Sequence, residues 1–95
     1  MYYILTYKTV ENYVERRAEF RDAHLKYADE YVKRGELILG GALEEPVDSA
    51  VLVFKGESTS IAEDFAKNDP YVKNGLIVEW TVRPWNVVVG DSRFL

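Results

Sequence analysis

The order of periodic segments along this chain predicts an α+β fold with the ferredoxin-like plan βαββαβ. In that plan four antiparallel strands form one sheet, the helices cover one face of it, and the first and third strands are central. Residues 2–7 and 50–55 are apolar on both alternating faces, which is typical of central strands. A length of 95 residues suits one domain with its own core.

The first helix is predicted over residues 14–32, and it should stop near Arg34, where cations are followed by Gly35. At roughly 100° per residue, one face of this helix is apolar and is expected to lie on the sheet. Its members are Val14, Ala18, Leu25, Ala28, Tyr31 and Val32, with Phe20 and Tyr27 on the edge.

Three side chains interrupt the apolar face of this helix. Arg17, Arg21 and His24 fall inside the apolar arc, where cationic or titratable groups carry a desolvation cost. The cost is avoided if they meet a partner, a water-filled cleft or an anionic ligand. We therefore expect a functional site beside this helix.

The second strand is predicted over residues 36–43. Gly40 and Gly41 lie inside it, and adjacent glycines in a strand indicate a bulge or a close approach of backbone or ligand. The third strand, residues 50–55, ends at Gly56 and is followed by a short helix that runs to about Lys67.

A proline marks the start of the next helical turn. Pro70 bars helical geometry at Asp69 and suits the first position of a helical turn that reaches Asn74. An Asn-Gly turn leads into the last strand, residues 76–83. Its alternating residues Leu76, Val78, Trp80 and Val82 are predicted to face the core.

The predicted domain spans residues 1–95, with a core of residues 1–85 and a C-terminal extension of residues 86–95. Two helices cover only one sheet face, so the other face needs a second cover, which a second copy of the chain would provide. A homodimer is therefore expected. Val87, Val88 and Val89 form a further apolar run that either pairs with the neighbouring subunit or folds onto its own domain.

Composition narrows the function classes. The chain has no cysteine and one histidine, and no spacing matches a Walker loop, a dinucleotide-binding glycine motif or a calcium loop, so a site without metal or cofactor is expected. The net charge of −4 argues against a nucleic-acid partner. No apolar run approaches about 18 residues and no secretory signal is present, so we expect no membrane partner and a cytoplasmic location.

Three segments together resemble the YciI-like family: residues 21–25 (Arg-Asp-Ala-His-Leu), the glycine-containing strand of residues 35–43, and residues 69–72 (Asp-Pro-Tyr-Val). The resemblance covers residues 1 to about 85. It implies a dimeric α+β barrel, similar to muconolactone isomerase, with His24 and Asp69 as the catalytic pair. At least one relative in that family acts as a chloromuconolactone dehalogenase.

The candidate site follows from the arc and the resemblance together. His24 would act as general base or acid, with Asp69 orienting the imidazole and stabilising its charged form. Such a pair suits isomerisation or elimination on a small organic acid or lactone, the work of an isomerase or lyase. The predicted substrate-binding residues are Arg17, Arg21, Gly41 and Tyr71, and the two arginines would clamp a carboxylate.

Each candidate has a structural alternative. His24 can be a hydrogen-bonded core residue, Asp69 can cap the helical turn at Pro70, and the two arginines can keep their guanidinium groups in water. A dimeric binding module that captures a small acid without turnover also remains open, as does a purely structural dimer. An open cleft beside a hydrogen-bonded His24–Asp69 pair would favour function, whereas a closed, dry pair would indicate structure only.

Overall fold

The computed structural model describes residues 1–93. Its strands are β1 (Tyr2–Thr9), β2 (Leu37–Ala42), β3 (Ser49–Lys55) and β4 (Ile77–Trp85). Its helices are α1 (Tyr13–Arg16), α2 (Arg21–Lys33), α3 (Ser60–Asn68) and α4 (Pro70–Lys73), with a 3₁₀ turn (Arg17–Glu19) between α1 and α2. The strands form one antiparallel sheet in the order β2-β3-β1-β4. The predicted plan, with β1 and β3 in the middle, is confirmed.

The core lies on the helix side of the sheet. Along β1 burial alternates, so that Tyr3, Leu5 and Tyr7 are buried while Thr6 and Lys8 are exposed. The inward side chains pack with residues of β3 and α3 in one cluster. Each large apolar side chain buried in this way contributes roughly 1.5–3 kcal/mol relative to leaving it in water.

The predicted continuous first helix is wrong, and so is part of its core face. The segment is split by the 3₁₀ turn, and Val14, Leu25 and Val32 are each 49% exposed. Helix α2 packs on the core through Ala28 and Tyr31 of the predicted face and through Tyr27 on its edge. One side of the apolar arc of α2 therefore contacts the core, and the other side faces a cleft between α2 and the sheet.

The predicted inward facing of alternate residues in the last strand is confirmed except at Val78. Lys8 pairs with Glu79 whereas Thr9 pairs with Ile77, so a bulge interrupts the alternation at Val78. Ile77 consequently packs against the core, and Val78 is 60% exposed. A bulge of this kind adds one residue to a strand and reverses the facing beyond it, which periodicity alone does not reveal.

Strand β2 shows the predicted irregularity, but two residues before the first of the glycines. Leu37 pairs with Phe54 and Leu39 with Val53, which places the irregularity at Ile38. A Cβ atom on Gly40 would lie 3.0 Å from Cγ of Leu52, so the side chain of this leucine lies close to the β2 backbone there. A side chain at this position would force that leucine to move.

Beyond β4 the chain has no regular secondary structure up to residue 93, and Val88 and Val89 are exposed. Exchange of this extension between subunits therefore stays a prediction, and Phe94 and Leu95 at its end lie outside the described residues. Within residues 1–93 no helix combines the length and the apolar character needed to cross a membrane.

Candidate active site

Asp69 joins α3 to α4 and is fully buried. Because Pro70 follows it, its backbone is extended, with φ −64° and ψ 127°. Its Oδ1 accepts a hydrogen bond from the backbone N–H of Tyr71 at 3.0 Å, which caps α4. Asp69 therefore caps the helical turn at Pro70, as its structural alternative predicted, but capping uses only Oδ1 of the carboxylate.

His24 approaches the same carboxylate from α2. Its Nδ1 lies 2.7 Å from Oδ1 of Asp69, although the two residues are 45 positions apart in sequence. An ionised carboxylate only accepts hydrogen bonds, so this contact assigns the proton to Nδ1 and leaves Nε2 of the neutral imidazole as an acceptor. Asp69 thereby selects the tautomer in which His24 can act as a base.

The imidazole is also held on its face. It is stacked on the ring of Tyr71, with centroids 3.8 Å apart and an interplanar angle of 5°. Tyr13 packs edge-on against the other ring of this stack, Tyr71, at 5.8 Å. The side chain of His24 keeps 15% exposure, so it is fixed without being sealed from solvent.

A cleft of about 340 Å³ opens between α2 and the β2–β3 part of the sheet, and His24 lines it. One wall is a stripe of α2 formed by Arg21, Leu25, Ala28 and Val32. This explains the wide apolar arc in the sequence, since the half not used by the core lines the cleft. His24 lies at the boundary between the two halves.

The structure brings the predicted site residues together. Arg17, Arg21, Gly41 and Tyr71 all line the cleft with His24, whereas Asp69 lies behind it, fully buried. A Cβ atom on Gly41 would meet nothing within 4 Å, so this position borders open space. Their catalytic and substrate-binding roles stay predictions.

Two guanidinium groups lie at the His24 end of the cleft. Arg17 lies over the ring of Tyr13, with Cζ 5.1 Å from the centroid, and Arg21 is exposed. Among residues 1–93 neither is paired with a carboxylate. Burial raises the pKa of Tyr13, and the hydrogen bond and charge of Arg17 act in the opposite direction. The polar end of the cleft therefore carries positive charge that a small anion would neutralise.

The sequence argument missed Tyr7. This residue lies in central strand β1 and lines the cleft, and its hydroxyl donates to Oδ2 of Asp69 at 2.7 Å. The available indication was that a tyrosine in a buried strand needs a partner for its hydroxyl. Burial, reinforced by the charge of Asp69, raises the pKa of Tyr7 far above its ordinary value. Within the described part of the chain, no three His, Cys, Asp or Glu side chains are grouped so as to hold a metal ion.

Residues 1–86 match the family model of the YCII-related domain. An uncharacterized protein of Haemophilus influenzae is 26% identical over 97 residues, which span 93% of this chain and 99% of that relative.

Two solved structures share the fold. One is the 5-chloro-2-hydroxyhydroquinone dehydrochlorinase TftG from Burkholderia phenoliruptrix AC1100 in complex with 2,5-dihydroxybenzoquinone. Its TM-score is 0.75 at 22% identity, covering 90% of this chain and 94% of that one. The other is a protein from Agrobacterium tumefaciens, with a TM-score of 0.55 at 20% identity, covering 87% of this chain and 89% of that one. At these identities the likeness concerns the fold.

Proposed function

This chain belongs to the YCII-related domain family, and on that premise we propose that it is a small-molecule enzyme in which His24 transfers a proton. The observation that carries the proposal is the 2.7 Å contact between Nδ1 of His24 and the buried carboxylate of Asp69, at one end of an open cleft. A carboxylate that holds the tautomer and stabilises the imidazolium suits acid-base catalysis by histidine.

The proposed substrate is a small organic acid or lactone that carries an acidic C–H beside a carbonyl group. Its anionic group would lie between the guanidinium groups of Arg17 and Arg21, and its apolar part against the α2 wall of the cleft. A cleft of about 340 Å³ is at the lower end of the range for small-molecule sites, which starts at roughly 300 Å³.

In the proposed reaction Nε2 of His24 removes the proton, and Asp69 stabilises the imidazolium that forms. In an isomerisation, the imidazolium returns the proton to a different carbon of the substrate. In an elimination, the electrons of the broken C–H bond form a double bond and a halide leaves with its bonding pair. The fold neighbour TftG, named as a dehydrochlorinase, supports the second route. General acid-base catalysis typically contributes about 10²- to 10⁴-fold to the rate.

A homodimer is part of this proposal. Val51 on the central strand β3 and Ile4 on β1 are half-buried, and a second copy of the chain placed on the open face would exclude water from them. The polar Thr6 and Lys8 on that same face would lie in or beside the interface.

The proposal is tested by proton exchange, which does not require the final product to be known. Small organic acids, lactones and chlorinated hydroxyhydroquinones are incubated with the protein in D₂O, and NMR follows loss of the C–H signal, with chloride release measured in parallel. We expect exchange or elimination with wild type, and a loss of about 10²-fold or more in His24→Ala.

Calorimetric titration of the same compounds separates the classes of function. Compounds that bind wild type without exchange or elimination would make the protein a binding module. Equal rates in wild type and His24→Ala would show that His24 does not transfer the proton. A His24→Ala protein that melts much earlier and binds ligands as wild type does would refute the site assignment.

A further inference from the structure

The carboxylate of Asp69 is held on both of its oxygen atoms. Oδ1 accepts from Nδ1 of His24 at 2.7 Å and from the backbone N–H of Tyr71 at 3.0 Å. Oδ2 accepts a hydrogen bond from the hydroxyl of Tyr7 at 2.7 Å, and residues 1–93 supply no other donor to Oδ2. A carboxylate turns about its Cβ–Cγ bond, so a donor on each oxygen fixes its plane.

We propose that Tyr7 is a positioning residue of the His24–Asp69 pair. By holding Oδ2, its hydroxyl fixes the plane in which Oδ1 meets the imidazole, and it draws part of the negative charge away from His24. The inference rests on the proposed function only in taking His24 as the group that transfers the proton.

The place of Tyr7 in the sheet suits this role. It lies in central strand β1, paired with Ala50 of β3 on one side and Trp80 of β4 on the other, so its backbone is fixed by both neighbours. The side chain is almost completely buried. Burial and the nearby carboxylate keep the phenol protonated, so it remains a donor over the whole range in which a histidine titrates.

Replacing Tyr7 by phenylalanine would keep the ring and remove only the donor. Oδ2 would then be buried without a partner, and the full charge of the carboxylate would act on His24. The other titratable or charged groups around the pair stay in place in this variant, so the difference from wild type isolates the hydroxyl. These groups are Tyr13 of α1, Arg17 of the 3₁₀ turn, Arg21 and Tyr27 of α2, and Tyr71 of α4.

The test uses the fact that the chain has one histidine, so the imidazole signals in an NMR titration report His24 alone. The variants are Tyr7→Phe and the matched control Tyr27→Phe, which loses a hydroxyl bonded to the backbone oxygen of Phe65 at 2.9 Å. In Tyr7→Phe the pH at the midpoint of the His24 signals should rise by roughly half a unit or more, because the undivided charge stabilises the imidazolium. The control should shift by clearly less. An unchanged or lowered midpoint, or an equal shift in the control, would overturn the proposal.

A second measurement uses wild-type protein, so it does not depend on the variant folding. Because Tyr7 and His24 share one carboxylate, the ¹³Cζ signal of Tyr7 should change at the same pH as the His24 signals. A ¹³Cζ signal that stays constant through the His24 transition would also overturn the proposal.

The two proposals fail independently. If no compound undergoes proton transfer but both NMR effects appear, the proposed function fails and the role of Tyr7 stands. If proton transfer depends on His24 while both NMR effects are absent, the function stands and the role of Tyr7 is wrong.

Discussion

Replacement of Asp69 should separate its structural from its chemical role, and two variants are needed. In Asp69→Ala three described donors lose their acceptor: Nδ1 of His24, the hydroxyl of Tyr7 and the backbone N–H of Tyr71. A hydrogen bond to a charged group contributes about 1.5–3 kcal/mol, and loss of a helix cap costs about 1 kcal/mol. These terms are not additive, and His24 retains some access to water. We therefore expect a loss of about 3–5 kcal/mol in the free energy of unfolding.

Asp69→Asn should cost much less stability and still remove the chemistry. The amide oxygen can replace Oδ1, and the amide N–H₂ can donate to the hydroxyl of Tyr7, which then acts as acceptor. Each of the three partners keeps one hydrogen bond, but the hydroxyl proton of Tyr7 and the second amide N–H are left without an acceptor, so the expected loss in the free energy of unfolding is about 1–2 kcal/mol. The negative charge is gone, however, so the imidazolium of His24 is no longer stabilised and proton transfer should fall as it does when a catalytic aspartate is neutralised.

Urea denaturation followed by circular dichroism measures both losses, and the D₂O exchange assay measures the chemistry. Asp64→Ala, at an exposed position of α3, is the matched control and should change the free energy of unfolding by less than about 0.5 kcal/mol. A loss below about 1 kcal/mol in Asp69→Ala would refute the hydrogen-bond network described for this carboxylate. Equal rates of proton transfer in wild type and Asp69→Asn would show that its charge is not used.

Three further predictions concern charge, pH and assembly. Arg21→Ala should weaken binding of small carboxylates by about tenfold or more in calorimetric titration. The control Lys26→Ala, on the exposed side of α2, should leave binding unchanged. Equal effects of the two substitutions would exclude a carboxylate clamp that includes Arg21. Burial raises the pKa values of Tyr7 and Tyr27, so the folded state favours their protonated forms. The free energy of unfolding should therefore keep its full value below the ordinary tyrosine pKa of about 10. Above that pH it should fall, by up to about 1.4 kcal/mol per pH unit for each tyrosine. Urea denaturation at pH 8 to 12 measures this, and stability that rises above pH 10 would contradict it. Light scattering at micromolar concentration should give the mass of a dimer, and a monomeric mass in wild type would refute the dimer. If the extension exchanges between subunits, Val88→Asp should weaken the dimer. Unchanged dissociation of this variant would place the extension elsewhere.

Much of this molecule follows from local patterns in its sequence. The continuous apolar character of residues 2–7 and 50–55 correctly predicted that β1 and β3 lie in the middle of the sheet, because central strands are rich in apolar residues. The position of His24 inside an apolar arc indicated a cleft, since a titratable group there needs a polar surrounding. Pro70 likewise determined the extended backbone of Asp69, because a proline restricts the residue before it.

The tertiary structure decided what depends on contacts between distant segments. Tyr7 and Asp69 are 62 residues apart, and nothing in either neighbourhood specifies that a strand hydroxyl meets a helix-capping carboxylate. The exposure of Val78 depends on a bulge in the pairing of β4 with β1. The division of the α2 arc depends on how α2 packs, with one side in contact with the core and the other separated from the sheet by the cleft. The periodicity of the sequence indicates whether a side chain is buried, but only tertiary packing determines which groups it contacts. The chemistry of this site depends on those contacts.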